Sequence, residues 1–406
     1  MKNLEKKAKA YGLKNAIAHS GKANQGAIIS GLFAEGLKRE EVKDVVKQVS
    51  EILKEINSMS LDKQEKEFEK LKDEISGREV REGLPELPNV PKSGIVTRFA
   101  PAASGPMHLG HALTGMLSSL YVKKYGGKFY VRIEDTNPEK VFKECYKTFK
   151  EDGDWIFGNV TEYIIQSDRM DIYYKYAEKL INSGDAYVCT CSSEKFKKFS
   201  ELKENCPCRN NEKKESLMRW KKMLDKKGYA EGEAVLRFKT PEKELGMKNP
   251  NPAMRDFPLA RINEHEHPRQ KHKYRVWPLM NLSVTADDIE YKMTHIIRAK
   301  EHMDNAKRQK MIYHALGKEN MFPWTFFMGR YKFNDLPLAK RKIVAAIESG
   351  EFEGWDDIRL PTLSALKRRG YKPEAFAKLS EQRGLSDVDK VMDSKDLFRL
   401  LDEFNK

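Results

Sequence analysis

Two histidines stand three residues apart in the stretch RFAPAASGPMHLGHALTG, which runs from Arg98 to Gly115. The residues before His108 read as a strand that ends in a Gly/Ser/Pro turn, and the residues after His111 read as a helix. A helix N-terminus presents unpaired N–H groups to phosphate, and two imidazoles there could stabilise charge that develops on phosphate oxygens. We therefore predict a nucleotide site at this junction, where Gly110 would let a base or ribose approach the backbone closely. Two histidines that only begin a helix are the alternative.

The junction lacks the two common glycine fingerprints of phosphate-binding loops. The sequence there has neither G-x-x-x-x-G-K-[ST] nor G-x-G-x-x-G. The first absence excludes a P-loop, and the second disfavours dinucleotide binding and a dehydrogenase. The expected nucleotide chemistry therefore belongs to another class.

A second group of reactive side chains follows about eighty residues later. Four cysteines form two C-x-C pairs separated by 14 residues: Cys189, Cys191, Cys206 and Cys208. Four thiolates can close a tetrahedral zinc site, and clustering in a cytosolic chain favours a metal over disulfides. Reduced thiols on a hairpin are the alternative.

The elements around the histidines predict a parallel sheet. GIVTRFAP reads as a strand, HALTGMLSSLYVKKYG as a helix and GKFYVRIEDT as a second strand, which together make a βαβ unit that begins near Ile95. MTHIIRAKEH reads as a strand that returns to the sheet after an insertion carrying the cysteines. Residues 1 to about 75 have helical apolar spacing, and the Pro/Gly-rich REGLPELPNVPKSG predicts a linker after them.

Composition narrows the range of partners. The 406 residues carry a formal net charge of +14, which favours a polyanionic partner, although a solvated basic surface explains the charge equally well when taken alone. No window approaches the ~18 apolar residues of a membrane span, and the N-terminus lacks the apolar segment of a secretory signal. We therefore expect a cytoplasmic protein without membrane contact.

Several blocks resemble one family in its own order. PMHLGH resembles the HIGH signature of class I aminoacyl-tRNA synthetases, and TRFAP…SGPMHLGHA with GGKFYVRIEDTNPEK is similar to their glutamyl and glutaminyl branch. GLKNAIAHSGKANQGAI, QSDRMDIYYKYAEKLI, DAYVCTC and GWDDIRLPTLSALKRRG resemble the archaeal-type glutamate–tRNA ligases. The resemblance extends from about Gly12 to the end. It implies ATP-dependent ligation of glutamate to tRNA through a glutamyl-adenylate.

The resemblance also implies an α/β fold, with the Rossmann-like parallel sheet of class I synthetases. Five regions are expected: a helical N-terminal region with its linker (1–92), the first half of the catalytic domain (93–184), an inserted domain that binds the acceptor end and could hold zinc (185–277), the second half of the catalytic domain with a KMSKS-like loop (278–344), and a helical domain that contacts the tRNA stem (345–406).

The resemblance assigns roles at the nucleotide. LAKRK, residues 338–342, matches the KMSKS loop, although Pro337 stands where some members have the first lysine and Ala339 replaces the usual serine. The catalytic groups implied are His108, His111 and Lys340. The implied ATP-binding residues are Ser104, Gly105, His108, Gly110, His111, Leu338 and Lys340.

The resemblance also assigns an amino-acid pocket. Arg98 and Arg298 match arginines that face the dianionic substrate, and Glu134 matches the acid that receives its ammonium group. Met280 stands where the family usually has a pocket tyrosine, and Ala102 where a polar residue often contacts the amino group. Both changes remove hydrogen-bonding atoms, so amino-acid specificity stays open at this point.

The implied cofactors are ATP, Mg²⁺ and, as in some members, a structural Zn²⁺. The implied partners are glutamate, ATP and tRNA, with tRNA-Glu expected. The archaeal-type ligases usually continue with two anticodon-binding β-barrels, whereas this sequence stops after LFRLLDEFNK. A cut chain, a split gene with a separate anticodon-binding chain, and a paralogue are three open explanations. A paralogue could use another amino acid or acceptor, or bind RNA without catalysis.

Overall fold

Four α-helices form most of the described part of the N-terminal unit. The computed structural model describes residues 3–75, 83–335 and 340–406, and the chain divides into a unit of Met1–Glu82 and a unit of Gly83–Lys406. The four helices are α1 (Leu4–Ala18), α2 (Gln25–Ala34), α3 (Val42–Asn57) and α4 (Leu61–Leu71). Apolar residues at helical spacing form their common core, as α3 shows at Val45, Val49, Ile52 and Ile56. The predicted helical N-terminal region is confirmed.

A parallel sheet opens the second unit. Its first elements are β1 (Ile95–Phe99), α5 (Leu109–Tyr125), β2 (Gly127–Ile133), α6 (Cys145–Phe157), β3 (Glu162–Ile165) and α7 (Met170–Ser183). β1 pairs in parallel with β2, with Ile95 opposite Gly127, and β2 pairs in parallel with β3. The βαβ unit predicted from the sequence is confirmed.

An antiparallel sheet with two helices follows. It comprises β4 (Ala186–Cys189), α8 (Ser193–Leu202), α9 (Lys213–Leu224), β5 (Val235–Phe238), β6 (Pro258–Ile262) and β7 (Val276–Pro278). The strand order is β4-β5-β6-β7, and Trp220 and Trp277 are fully buried in its core. The cysteines lie at and after the end of β4, in a small apolar cluster of their own with Tyr187, Phe196 and Met247.

The chain then returns to the parallel sheet through α10 (Met280–Glu290), β8 (His295–Ala299), α11 (Met303–Ala315) and β9 (Trp324–Met328). β8 pairs in parallel with β9. Next to β8, Thr294 N donates to Val96 O at 2.9 Å and Val96 N donates to Thr294 Oγ1 at 2.9 Å. The returning strand predicted from the sequence is confirmed, and it lies beside β1 while pairing with β9 in a two-stranded sheet.

The last elements are β10 (Tyr331–Phe333), α12 (Lys340–Glu348), α13 (Leu363–Arg368), α14 (Pro373–Arg383), β11 (Lys390–Met392) and α15 (Ser394–Phe404). The sequence predicts a KMSKS-like loop and a helical domain here, and the structure adds the parallel pair of β10 and β11. Strands of three residues are too short to show alternation. Buried residues of α13–α15 share one core with β1 and α5, including Leu363, Phe376 and Leu397. The limits of the five regions stay predictions.

Within the described ranges, no helix is both long enough and apolar enough to cross a lipid bilayer.

Candidate active site at the carboxyl edge of the parallel sheet

Three strands each bring a predicted site residue to a common edge: β1 and β2 from the sheet β1-β2-β3, and β8 from the neighbouring parallel pair of β8 and β9. β1 carries Arg98, β8 carries Arg298, and Glu134 directly follows β2. A parallel bridge joins Ala102 to Glu134, with two backbone hydrogen bonds of 3.0 Å between residues 101–103 and Glu134. Ligands of open α/β sheets bind outside such carboxyl ends. The structure thus brings four of the five predicted amino-acid-binding residues to a ligand-binding edge.

His108 and His111 form the start of α5. His108 Nδ1 accepts a hydrogen bond from Gly110 N at 3.1 Å, and His108 N donates to His111 Nδ1 at 3.2 Å, so each ring caps the helix. The two rings stack with centroids 3.9 Å apart. Because both Nδ1 atoms accept, a neutral ring of either histidine carries its proton on Nε2.

Both imidazoles are held in the neutral form. Burial lowers the pKa of His108 to about 4. Burial, with the adjacent His108 as a smaller cause, lowers the pKa of His111 well below its ordinary value. At neutral pH each ring therefore has an Nε2–H donor that the helix does not use.

A cavity of about 220 Å³ lies against the two histidines. Ser104, Gly105, His108 and His111 line it, together with Ala102, Pro106, Ile343, Trp355, Pro361 and Thr362. Two backbone hydrogen bonds attach this part of the cavity wall to the later segment 361–363: Leu109 N donates to Pro361 O and Leu363 N donates to Met107 O, both at 2.9 Å. The loop predicted to bind ATP is thus hydrogen-bonded to a segment about 250 residues later in the chain, which forms part of the same cavity wall.

Gly110 has a packing reason to be glycine. A Cβ atom at this position would lie 3.1 Å from Cε1 and 3.3 Å from Nδ1 of His108. A side chain there would press on the ring that caps the helix. Gly110 itself does not line the cavity, so its predicted role towards ATP stays a prediction.

The second predicted signature lies mostly outside what the structure describes. Leu338 falls outside the described residues, and so do Pro337 and Ala339. Lys340 begins α12, but its side chain is outside the description. Ile343 of the same helix lines the cavity, so α12 reaches the histidines.

Charged side chains form a largely buried cluster behind the same edge. Its members are the guanidiniums of Arg98, Arg132, Arg169 and Arg298 and the carboxylates of Glu134, Asp287 and Asp288. Asp288 accepts from Arg98 Nε at 3.1 Å and Nη2 at 3.3 Å, and from Arg132 Nη1 at 2.5 Å. Asp287 accepts from Arg169 at 2.7 Å, and Glu134 accepts from Arg132 at 3.2 Å. All three carboxylates therefore have a guanidinium partner.

The two aspartates of α10 respond differently to this surrounding. Burial would raise the pKa of Asp288, but Arg98 and Arg132 outweigh burial and hold that pKa below its usual value. Burial prevails at Asp287 and raises its pKa, even though Arg132 and Arg169 oppose the shift. Asp288 is therefore the firmly ionised partner of Arg98 and Arg132.

Arg298 has no carboxylate partner among the described residues. Its Nη1 donates to the neutral Gln309 Oε1 at 2.9 Å, and its buried Nε finds no acceptor there. Burial, with repulsion from Arg98, lowers the pKa of Arg298 to about 10, so the side chain stays protonated at neutral pH. Arg298 is thus the guanidinium of the cluster without an ion-pair partner among the described residues, which leaves its positive charge for a ligand anion.

Ala102 and Met280, the two positions that differ from the usual family residues, are close in sequence to Arg98 and to Asp287 of the charged cluster. Ala102 is exposed and lines the cavity beside the histidines. Met280 is the half-buried first residue of α10, next to the buried Asn281. Neither side chain can donate or accept a strong hydrogen bond, as the sequence indicated.

The buried acids are the part of the site that the sequence interpretation missed. Asp287 and Asp288 lie side by side in the apolar segment MNLSVTADDIE, and Arg132 lies in an apolar strand. A charged group at a buried position needs an opposite charge. Two acids and an arginine in apolar segments therefore indicate buried ion pairs, but the sequence does not show which residues pair with each other.

The cysteines lie together away from this edge. The sulfur atoms of Cys189, Cys191 and Cys208 lie within 4.8 Å of one another, and Cys206 Sγ lies 3.9 Å from Cys189 Sγ. The Cys191–Cys208 distance is also 3.9 Å, close to the edge of about 3.8 Å that Zn–S bonds of about 2.3 Å give a tetrahedron. Thr190 N donates to Cys208 Sγ at 3.4 Å, which favours the thiolate. The donor set fits zinc.

The chain is similar to known proteins over most of its length. The family model described as tRNA synthetases class I (E and Q), catalytic domain, matches residues 94–403. The glutamate–tRNA ligase of Methanocaldococcus jannaschii is 41% identical over 398 residues, covering 98% of this chain and 70% of that protein. That of Pyrococcus furiosus is 43% identical over 396 residues, covering 95% of this chain and 68% of that protein. A solved glutamate tRNA ligase of Elizabethkingia meningosepticum has a TM-score of 0.52 at 19% identity, over 75% of this chain and 68% of that chain, which shows a shared fold.

Proposed function

Because this chain belongs to the class I tRNA synthetases of the E and Q branch, we propose that it ligates glutamate to tRNA at the expense of ATP. The observation that carries the proposal is the unpaired Arg298 at the same sheet edge as a pair of neutral histidines. One group suits a carboxylate of an amino acid, and the other suits phosphate.

ATP, with its magnesium ion, binds in the cavity beside α5. The N–H groups at the start of α5 already have acceptors within the protein, so Ser104 and Gly105 contact its phosphates. The Nε2–H donors of His108 and His111 face the α-phosphate. Leu338 and Lys340 approach from the second signature, where Lys340 places a cation on the departing phosphates. The lining of the cavity by Ile343 supports this approach.

Glutamate binds between the cavity and the buried cluster. Its ammonium group faces Glu134, beside Ala102 and Met280, and its side-chain carboxylate faces Arg298. Arg98 is bound to Asp288 through Nε and Nη2, so it contributes positive charge and its Nη1 atom. The α-carboxylate then points towards the ATP site.

The ligation proceeds in two steps. An oxygen of the α-carboxylate bonds to the α-phosphorus of ATP while the bond from that phosphorus to the bridging oxygen breaks, and pyrophosphate leaves. The oxygen of a hydroxyl on the terminal ribose of tRNA then bonds to the activated carbonyl carbon, the bond from that carbon to the phosphate oxygen breaks, the hydroxyl proton passes to solvent, and AMP leaves. No side chain becomes a covalent intermediate, because positioning and charge stabilisation suffice.

Exposed lysines give the tRNA a path to this site. α9 exposes Lys213, Lys214, Lys221 and Lys222, and α13 exposes Lys367. Phosphate contacts of this kind position an RNA without reading its sequence, so the identity of the tRNA as tRNA-Glu rests on the amino-acid proposal. A separate anticodon-binding chain stays a prediction.

A structural zinc ion is the second part of the proposal. Cys189, Cys191, Cys206 and Cys208 hold it as thiolates, and it ties the end of β4 to the turn before α9. Such an ion adds folding free energy to the insertion and takes no part in the reaction.

The direct test is the charging of total tRNA by the purified chain with labelled glutamate, glutamine and aspartate. A base-labile glutamyl ester on tRNA is the expected product, and it would make Met280 and Ala102 tolerated substitutions. Charging with glutamine but not glutamate would contradict the proposal. Glutamate charging that appears only after a second chain is added would support a separate anticodon-binding partner.

A further inference from the structure

Gln309 of α11 lies directly behind Arg298. Its side chain is 3% exposed, and its Oε1 accepts from Arg298 Nη1 at 2.9 Å. Its Nε2 donates to Asn281 Oδ1 at 3.4 Å, and Asn281 is also buried. Two neutral amides thus connect the unpaired arginine to α10.

The orientation of this chain of amides follows from its donor end. A guanidinium has only donors, so the Gln309 amide must turn its oxygen to Arg298 and its nitrogen to Asn281. Packing of α10 against α11 holds both amides in place. The direction of the Arg298 side chain is therefore set by a hydrogen bond to a neutral acceptor, the amide oxygen of Gln309.

The absence of charge distinguishes Arg298 from its neighbours. Arg98, Arg132 and Arg169 each bind an aspartate of α10, whereas the group behind Arg298 is an amide. A carboxylate at position 309 would close an ion pair and neutralise Arg298. An amide of the same shape supplies the hydrogen bond and leaves the positive charge for a ligand.

One carboxylate of glutamate suits this reserved charge better than the other. The α-carboxylate loses its negative charge when it bonds to phosphorus, whereas the side-chain carboxylate keeps its charge through both steps. A fixed buried cation is best matched to the group that stays charged. Glutamine has no charge there, so Arg298 would discriminate between the two amino acids.

We propose that Gln309 is a positioning residue for amino-acid specificity, which aims Arg298 at the side-chain carboxylate of glutamate and keeps that arginine unpaired. This inference rests on the proposed function, since it takes glutamate as the substrate. It adds a specificity determinant in α11 that does not itself touch the substrate.

Two variants test the inference through kcat/KM for glutamate and for glutamine in tRNA charging. Gln309→Glu keeps the shape and neutralises Arg298, so the glutamate-to-glutamine ratio of kcat/KM should fall about tenfold or more, mainly through KM for glutamate. Gln309→Met keeps the volume and removes the aiming bond, so KM for glutamate should rise by about tenfold. The KM for ATP should stay within about twofold in both, because the histidine site is untouched.

Lys310→Glu is the matched control. It changes the charge by two units at the next, exposed position of α11, and the amino-acid ratio should not change. Melting temperatures identify any variant that is destabilised. If Gln309→Glu is destabilised, the kinetics of Gln309→Met test the inference instead.

The outcomes separate the two proposals. If the wild-type chain charges no glutamate, the proposed function fails. Suppose that the wild-type chain charges glutamate but both Gln309 variants keep the glutamate-to-glutamine ratio of kcat/KM. Gln309 then has a packing role only, and the inference is overturned. The same holds if the variants lower kcat/KM equally for glutamate, glutamine and ATP.

Discussion

At the scale of single residues, each of the two signature histidines divides its ring between structure and chemistry. One nitrogen of His108 and one of His111 accept backbone N–H groups at the start of α5, and the other nitrogen is left for a ligand. The helix thereby fixes both the tautomer and the direction of the donor. Structural capping and phosphate binding, which the sequence left as alternatives, are compatible in this geometry.

Replacing His108 with asparagine should separate these two roles. Asparagine is a good N-cap residue, so the melting temperature of His108→Asn should stay near that of the wild type. The Nε2–H donor is lost, so the rate of glutamate-dependent ATP–pyrophosphate exchange should fall by about 10²–10³-fold. His19→Asn, at an exposed position of the N-terminal unit, is the control. Full exchange activity in His108→Asn would remove His108 from the catalytic groups.

The buried histidine also predicts a pH dependence of stability. The pKa of His108 is about 4 in the folded chain, below its ordinary value of 6.5, so between these pH values the unfolded chain binds more protons. The stabilisation is therefore complete above pH 6.5 and is lost as the pH falls towards 4. Melting temperature should fall more steeply over this range for the wild type than for His108→Asn. Equal slopes would show that His108 is not held neutral.

At the scale of elements, α10 connects the two halves of the parallel sheet through its paired acids. Asp288 binds Arg98 of β1 and Arg132 of β2, and Asp287 binds Arg169 just before α7. The helix therefore sets where the carboxyl edge places its arginines. The bonded residues are up to 190 positions apart in the chain, so no local pattern could predict the pairs.

Neutralising one of these acids should destabilise the second unit strongly. Asp288→Asn leaves two buried guanidiniums without their shared carboxylate, so the free energy of unfolding should fall by about 3–5 kcal/mol. Urea denaturation followed by circular dichroism measures the change. Asp304→Asn, at the half-buried start of α11, should change it by less than about 1 kcal/mol. Similar values for both variants would mean that the buried cluster adds little.

The zinc proposal belongs to the insertion. Elemental analysis should find about one zinc ion per chain, and Cys208→Ser should lose the ion and lower the melting temperature. Cys145→Ala, which removes the buried cysteine outside the cluster, should keep the zinc. A zinc-free wild type that melts at the same temperature after zinc is added would contradict a structural role.

At the scale of the whole molecule, the parts that could be predicted from sequence are those with local periodicity. The βαβ unit, the returning strand and the helical N-terminal region have clear apolar patterns, and the class I signature lies at a strand–helix junction. The pairing of β10 with β11 and the attachment of residues 361–363 to the histidine loop were not predictable, because both join distant segments through backbone bonds. The lack of an ion-pair partner at Arg298 was likewise not predictable, because it depends on which arginines the nearby acids bind.

The central claim is that this sheet edge activates glutamate with ATP. Pyrophosphate exchange into ATP, measured with each of the amino acids in the presence of total tRNA, tests it most directly. We predict exchange that depends on glutamate, because Arg298 retains one positive charge for its side-chain carboxylate. Exchange with a different amino acid and not with glutamate, or no exchange with any amino acid in the presence of tRNA, would contradict the account.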